Sequence, residues 1–547
     1  MESCDVLIVG GGPIGLALGC ELGRRGVNSL LIEAKAGLHD HPRSTVLGPR
    51  TMEIFRSWGL ANTVIGNGLP MDFPVDVVFT DRLAGHEICR LQYPSKRRVL
   101  ERAPEIVATY VPLQWSPYAK IIIGQQDLEP LLYAQLQTYP SCRSIFQSEL
   151  TACSQDADGV TAVVRSPGGS ESNIRAKYLV ACDGGRSTAR RSLGSRMTGA
   201  NKIAESIGIF FRSKRLLDAI GKPPGFLMWS LARGVNGSFI AINGRDLWMH
   251  QRYLLPHEKY EEIDVMAALR GAIGADVDIE VISQWHWAPR ELVAEDYRCD
   301  RIFLAGDAAH LMSPTGGMGL NTGVGDIYNL AWKLDAVLAG WGGPGLLASY
   351  TPERRQVAIR NGEESTHNRR IMQDTMIAGA DSSRPGDDGE RSREKVASML
   401  PLHRKHFDAV GCYLGDDYYD SPVIVRDGTM LPPHDALVYH ARARPGSRLP
   451  HFWVDEKHSI LDLLGKGFTL LTAAPAELDS LVAEFSRRRV PLSVVVQPAI
   501  EMTRYEARHV LVRPDGHVAW RGDSAPDACG VLTHVTGHQP AEARTCT

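Results

Sequence analysis

The sequence predicts an α/β protein: a parallel sheet interleaved with helices, interrupted by a β-rich insertion and followed by a smaller α/β unit. Three observations predict it. Near the start, an apolar strand, a glycine-rich turn, a helix and a second strand follow one another. Residues 200–290 form a run of short strand patterns, and beyond residue 441 a strand–helix–strand order returns.

Asp5–Val9 is almost purely apolar, as a strand buried on both faces should be. It runs into Gly10, Gly11, Gly12, Pro13, Ile14 and Gly15, then an apolar helix over Leu16–Gly26, then a strand over Ser29–Ile32 ending at Glu33 and Ala34. This is the G-x-G-x-x-G dinucleotide fingerprint of a Rossmann-like unit. Gly10, Gly12 and Gly15 allow the tight turn and close approach of a pyrophosphate to the helix start, and Glu33 stands where an acid bonds ribose hydroxyls. Pro49 marks a helix start and Gly59 its stop, with Met52 and Phe55 inward. Arg50 reads equally as a surface residue or as support behind the site.

Gln125 opens a helix packed by Leu128, Leu131 and Leu132. Residues 144–181 read as a β-meander turning at Asp156–Gly159 and returning to an apolar strand before Asp183 and Gly184. In the insertion, strands are expected at Ile207–Phe211, Phe226–Ser230, Gly237–Ile242 and Leu247–Tyr253. Period two puts Trp248, His250 and Arg252 on one face. Trp229 and Arg233 come from the neighbouring hairpin, and Trp285 and Trp287 read as core.

Arg301–Leu334 carries the most chemistry. A short strand, Ile302–Ala305, ends at Gly306-Asp307. Gly316, Gly317, Gly319, Gly323 and Gly325 then crowd a loop, and from Asp326 the pattern is helical. Such a loop lets backbone approach a flat ligand, and the helix start favours electron-rich groups. Tyr350–Met372 reads as a long helix, and Ala380–Lys395 as a charged mobile loop or linker.

The chain has 547 residues, more than one core, with 44% hydrophobic and 22% charged residues and a formal charge of −3. That balance gives no broad basic field, so nucleic acid is not an expected partner. No apolar run approaches a membrane span, and the early first strand leaves no room for a signal peptide, so a cytoplasmic location is expected. The ten cysteines form no CxxC pair or zinc-like cluster, and no metal site is expected.

The motifs together resemble the FAD-dependent aromatic hydroxylases, the para-hydroxybenzoate hydroxylase-like group A flavoprotein monooxygenases. The resemblance rests on GDAAH from Gly306, then Pro314, Gly317, Gly319, Asn321, Gly323, Asp326 and NLAWKL from Asn329, with CDG at Cys182–Gly184 and Q..LE..L from Gln125. It covers nearly the whole chain and is closest to the subgroup of 2,4-dichlorophenol hydroxylases and natural-product tailoring hydroxylases. It implies a Rossmann-like FAD-binding domain (1–75, 100–199 and 286–380) with an inserted mixed β-sheet substrate domain (76–99 and 200–285). A linker and helical connection (381–440) and a C-terminal thioredoxin-like domain (441–547) follow. The absence of CxxC denies that tail a redox role, leaving packing or a possible homodimer.

By the same resemblance, Arg43 and Gln125 contact the FAD sugar–phosphate chain. Asp183 and Gly184 lie over the pyrophosphate, their element also touches the nicotinamide, and Gly306 and Asp307 bind the cofactor. Arg190 either braces its loop or meets ligand. Pro314, Gly317, Gly319, Leu320 and Asn321 lie against the isoalloxazine, with Pro314, Gly317 and Asn321 nearest the chemistry. One sheet face, bearing Trp229, Arg233, His250 or Arg252, meets substrate. NADPH or NADH reduces FAD as a transient reductant, dioxygen adds at flavin C4a, and the distal hydroperoxide oxygen passes to a phenolic or polycyclic aromatic ring. Two other readings share these motifs: Baeyer–Villiger or desaturating oxidation, separated by dioxygen stoichiometry and product mass, and a non-catalytic flavoprotein that sequesters an aromatic intermediate, separated by absence of NAD(P)H consumption.

Overall fold

Parallel strands set the frame. The computed structural model describes residues 2–202, 204–254, 258–430 and 432–538; the end of the expected C-terminal unit, 539–547, lies outside them. Glu2–Val9 pairs in parallel with Ser29–Ile32 and with Glu171–Ala181, which in turn pairs in parallel with Ile302–Leu304. Cys142–Ile145 extends the sheet beyond Ser29–Ile32. The registers set Val9 beside Ile32 and Ala181, and Ala181 beside Leu304. The segments following these strands therefore emerge along one edge, where open α/β sheets bind ligands. The meander is present as Glu149–Gln155, Val160–Arg165 and Glu171–Ala181.

A second, seven-stranded sheet runs Glu280–Trp287, Ser206–Arg212, Leu247–Tyr253, Gly237–Ala241, Leu227–Ser230, Val77–Thr80, Glu87–Leu91. It is mixed, because Leu227–Ser230 pairs in parallel with Val77–Thr80 while its other pairs are antiparallel. Trp285 and Trp287 sit on its outer strand and are half-buried rather than core. Trp285 packs on Gly208, where a Cβ would fall 2.2 Å from its ring, and edge-on to His41. The C-terminal unit is a four-stranded sheet, Leu492–Val496, Phe468–Thr472, His509–Val512, Val518–Gly522, with the helix Asp479–Arg487 between its first two strands in sequence.

Two further expectations are corrected. Residues 380–395 are not a loop throughout: Asp387–Met399 is a helix. Its first turn carries Asp387, Asp388 and Glu390, which suit a helix start. It buries only Gly389, Ser392 and Val396, too small a stripe to show as amphipathic, and Ser392 donates to the Ala378 carbonyl at the end of the preceding helix. The second correction concerns the glycine loop, whose helix begins at Met318 rather than Asp326 and runs to Leu338. Gly323 and Gly325 are inside it because neighbours leave no space. A Cβ on Gly323 would meet Ile14 at 2.7 Å, and one on Gly325 the Arg354 guanidinium at 2.6 Å.

The C-terminal unit is fastened to this helix by buried charge. Glu353 accepts Arg513 at 2.7 and 2.9 Å, Lys333 at 2.7 Å and Asn329 at 2.6 Å. Arg513 also grips Asp515, which receives the Trp332 indole N–H at 3.1 Å. Burial alone would raise the Glu353 carboxyl, but Arg513 and Lys333 hold it well below the usual carboxylate range. Arg50 makes a second tie, donating to the Asp515 carbonyl at 2.5 Å and pairing with Glu53, so it joins helix Pro49–Ser57 to the C-terminal unit. Removing one member strands buried charge. Arg513→Met is expected to lower unfolding free energy by roughly 3–5 kcal/mol, visible as a large fall in thermal midpoint; an unchanged midpoint would mean the cluster is energetically idle.

Candidate active site

A single cavity of about 770 Å³ joins the carboxyl edge of the parallel sheet to one face of the mixed sheet. At the first end the fingerprint turn is shaped by contact. Gly10 has φ +107°, and a Cβ there would fall 2.4 Å from the Cys182 carbonyl oxygen; one on Gly15 would fall 1.9 Å from the Gly10 carbonyl oxygen. Gly12 is different, because nothing lies within 4 Å of its Cβ position and the residue faces the cavity. Gly10 and Gly15 are thus glycine for the protein's own packing, and Gly12 keeps the cavity open where helix Pro13–Arg25 begins. Pro13, Ile14, Ala34 and Arg43 also line this end. The Glu33 carboxylate accepts the Gly11 N–H at 2.5 Å and the Lys35 N–H at 2.8 Å, which fixes it at the rim.

Asp183, Gly184 and Asp307 converge from the neighbouring strand ends and line the same cavity. One Asp183 carboxylate oxygen caps the short helix Thr188–Ser192, accepting Thr188 N–H at 2.8 Å; the other is buried without a protein partner. Burial raises the pKa of Asp183 and of Asp307, the latter ringed by protein yet open to the cavity. Arg190 braces the loop, donating to the Ala308 and Gly185 carbonyls at 2.7 Å each. Gln125 lines the cavity and is held by its own side chain's bond to Glu129 at 2.7 Å.

Pro314, Gly317, Gly319 and Leu320 form the middle of the wall. Gly317, at φ +65°, is the N-cap of helix Met318–Leu338, and no side chain caps that start. Its first amides are therefore left for a cavity occupant. Asn321 and Gly306 do not reach the cavity surface, and neither does Gly15. The Asn321 side chain is fully used: it accepts Gly48 N–H and Thr51 O–H at 2.7 Å each and donates to the Val46 and Gly317 carbonyls at 3.0 and 2.7 Å. It clamps the loop and shapes the wall from behind. Gly306, at φ +58°, turns the chain over Ile14.

The far end departs most from the sequence reading. Trp229 lines it, stacked parallel to Tyr253 at 6.3 Å. Along Leu247–Tyr253, however, Met249, Gln251 and Tyr253 face the cavity, so Trp248, His250 and Arg252 are on the opposite face. His250 packs on Phe239, and Arg252 pairs with Glu258 at 2.5 Å. Arg233 is exposed and pairs with Asp381. Tyr93, Tyr110, Lys120, His406, Phe407 and Tyr413 complete the wall. They come from segments that sequence reading left as irregular or as linker, and no motif marked them.

The glycine turn, the open Gly12 cradle, the unpartnered Asp183 oxygen and the uncapped helix fit a dinucleotide that ends in a flat ring, as FAD does. Among the described residues, no group of His, Cys, Asp and Glu could hold a metal, and no helix is long and apolar enough to cross a membrane. These features define a flavin-binding α/β enzyme with a large aromatic chamber. Comparison with known proteins is specific. The family model for an FAD binding domain matches residues 3–365, and that for the C-terminal part of aromatic-ring hydroxylases matches 442–538. A Streptomyces halstedii protein described as a polyketide hydroxylase is 33% identical over 569 residues, covering 97% of this chain and 96% of its own. The 4-methyl-5-nitrocatechol 5-monooxygenase of a Burkholderia species is 31% identical, covering 96% of each. The structure of RebC with bound 7-carboxy-K252c aligns with TM-score 0.88 and 36% identity over 98% of this chain and 99% of that one. The chain belongs to the FAD-dependent aromatic-ring hydroxylases: it is a monooxygenase with FAD as cofactor, in a family that draws its electrons from NAD(P)H.

Two outcomes follow from this geometry. Gly12→Ala adds a methyl that clashes with no protein atom, so the variant is expected to fold with unchanged circular dichroism yet bind FAD roughly tenfold or more weakly in equilibrium dialysis; unchanged affinity would place the diphosphate elsewhere. The second is a pH dependence. Burial pushes His250, His403 and His451 down to about 3, 4 and 3. The unfolded chain protonates them near pH 6.5, so their neutrality is fully compatible with folding above that pH and opposes it as pH falls toward 4. Each costs about 1.4 kcal/mol per pH unit in that window, and the thermal midpoint should drop steeply between pH 7 and 5. A flat profile would contradict their burial as neutral groups.

Proposed function

We propose that the protein hydroxylates a planar phenolic or polycyclic aromatic compound, using dioxygen and NADPH or NADH, inside the chamber between the two sheets. One observation carries the reading: a continuous cavity has a nucleotide-shaped cradle at one end and flat aromatic walls at the other. Bound FAD would take a hydride from NAD(P)H and activate dioxygen so that one oxygen atom reaches the substrate ring and the other leaves as water.

The chain's own residues supply placement and dryness. Gly10, Gly12, Glu33 and Asp183 would hold the nucleotide along the sheet edge. The uncapped start of helix Met318–Leu338 favours an electron-rich or anionic ring edge near Gly317–Leu320. Trp229 and Tyr253, their planes nearly parallel at 4°, offer a face for a flat ring. Phe226, Met249 and Phe407 add apolar wall, which keeps water from competing for the activated oxygen. Relatives described as acting on a nitrocatechol or a polyketide support a phenolic or fused-ring substrate.

The test is NAD(P)H oxidation by the FAD-loaded protein across phenols and polycyclic aromatics, with product mass and hydrogen peroxide followed together. At least one compound is expected to stimulate oxidation and give a product heavier by one oxygen atom. Ring expansion to a lactone or loss of two hydrogens would assign the other oxidations of this fold. Tight aromatic binding with no NAD(P)H consumption would assign a sequestering protein.

A further inference from the structure

The aromatic end of the cavity contains one group that packing does not explain. Lys120 lies just before the Ile121–Ile122 strand and lines the chamber. Its ammonium donates to the Phe407 carbonyl and sits 5.6 Å from the centre of the Tyr93 ring. An ammonium has three donors, and the Phe407 carbonyl takes one of them. Burial pushes Lys120 down to about 8, against the opposing pull of Asp408. Asp408 is not part of the cavity wall and pairs with Arg404 at 3.2 Å.

The charges around the cavity are unevenly distributed. Its lining carboxylates are Glu33, Glu149, Asp183 and Asp307. Glu33, Asp183 and Asp307 stand at the ends of the parallel strands, and Glu149 follows Ser148, whose N–H bonds the Glu33 carbonyl. All four thus belong to the nucleotide end. Of the other lining cations, Lys35 follows Glu33, Arg43 acts on Asp307, and Arg186 and Arg191 follow the Asp183 loop. His406 lies beside Lys120 but is driven well below its usual pKa by burial, His403 and Lys120, so it stays neutral. Among the described wall residues, the aromatic end therefore has Lys120 as its cation and no carboxylate.

We propose that Lys120 is a substrate-binding residue that holds an ionised oxygen, phenolate or carboxylate, of the aromatic substrate. A desolvated ammonium in an apolar chamber gains most from an anionic partner. Tyr93 and Tyr110 beside it, with ring centres 6.3 Å apart, give the ring carrying that oxygen an apolar surface. This rests on the hydroxylase reading above and sharpens it: the protein selects aromatic anions over neutral aromatics of the same shape.

The test measures dissociation constants by flavin absorbance changes in the FAD-loaded protein, for wild type, Lys120→Met and Lys120→Arg. The probes are 2-naphthoate, its neutral isostere 2-naphthamide, and 2-naphthol, whose bound phenolate has its own absorbance. Wild type is expected to prefer 2-naphthoate over 2-naphthamide, or to bind 2-naphthol as phenolate, the first marking a carboxylate subsite and the second a phenolate one. Lys120→Met should lose that preference by roughly tenfold or more while binding 2-naphthamide as before, and Lys120→Arg should keep it. Equal loss for charged and neutral probes, or no loss for either, would overturn the role. If wild type binds none of the three, the aromatic-substrate reading itself fails, and the lysine's role with it.

Discussion

The carboxylate of Asp326 is the constraint on which the site depends. It is buried on helix Met318–Leu338. One oxygen accepts the Gly306 N–H at 3.1 Å and the His310 ring at 2.8 Å; the other accepts Arg354 at 2.9 Å. Arg354 continues to the Thr322 carbonyl, Asp416 and Tyr418. Three separate segments, the strand-end turn, the helix behind the glycine loop and the long helix Tyr350–Ala378, are fixed through one side chain. A buried carboxylate is costly unless its acceptors are filled, and here the groups that fill them are those that must be placed to form the cavity wall. The Glu353–Arg513 cluster repeats the device one turn further along, joining the same helix to the C-terminal unit.

Glycine serves two purposes in this molecule, and contact separates them. Gly10, Gly15, Gly323 and Gly325 are small because another part of the chain already occupies the space. That crowding lets the first helix, the strand-end turn and the loop helix close on one another. Gly12 is small with open cavity before it and no protein atom within 4 Å of its Cβ position. In the sequence, Gly323 and Gly325 read as part of a glycine loop. In the structure both are points of tight packing inside a helix that begins at Met318 and not after the last glycine.

The sheet-edge half of the cavity was legible in the sequence because its residues occur as contiguous motifs at strand ends, and parallel register brings strand ends together. Gly12, Glu33, Asp183, Asp307 and Pro314 all reach one cavity for that reason. The aromatic half was not legible, for two physical reasons. The strand Leu247–Tyr253 is buried on both faces, so period two defines two faces without the polarity contrast that would say which meets the chamber; Met249, Gln251 and Tyr253 line it, not His250 and Arg252. Lys120, Tyr110 and Phe407 come from irregular segments that only tertiary packing assembles. Asn321 shows a third limit. Its side chain is spent on Gly48, Thr51, Val46 and Gly317, so it shapes the loop, which no motif position could show.

The central claim is that one cavity holds the nucleotide along the parallel-sheet edge and presents a flat ring toward the mixed sheet. A crystal structure of the protein with FAD tests it most directly. The account predicts diphosphate density beside Gly12 and ring density against Pro314 and Gly317–Leu320, with the ring's open face toward Trp229, Tyr253 and Lys120. Diphosphate density away from Gly12, or a ring separated from that chamber by protein, would contradict it.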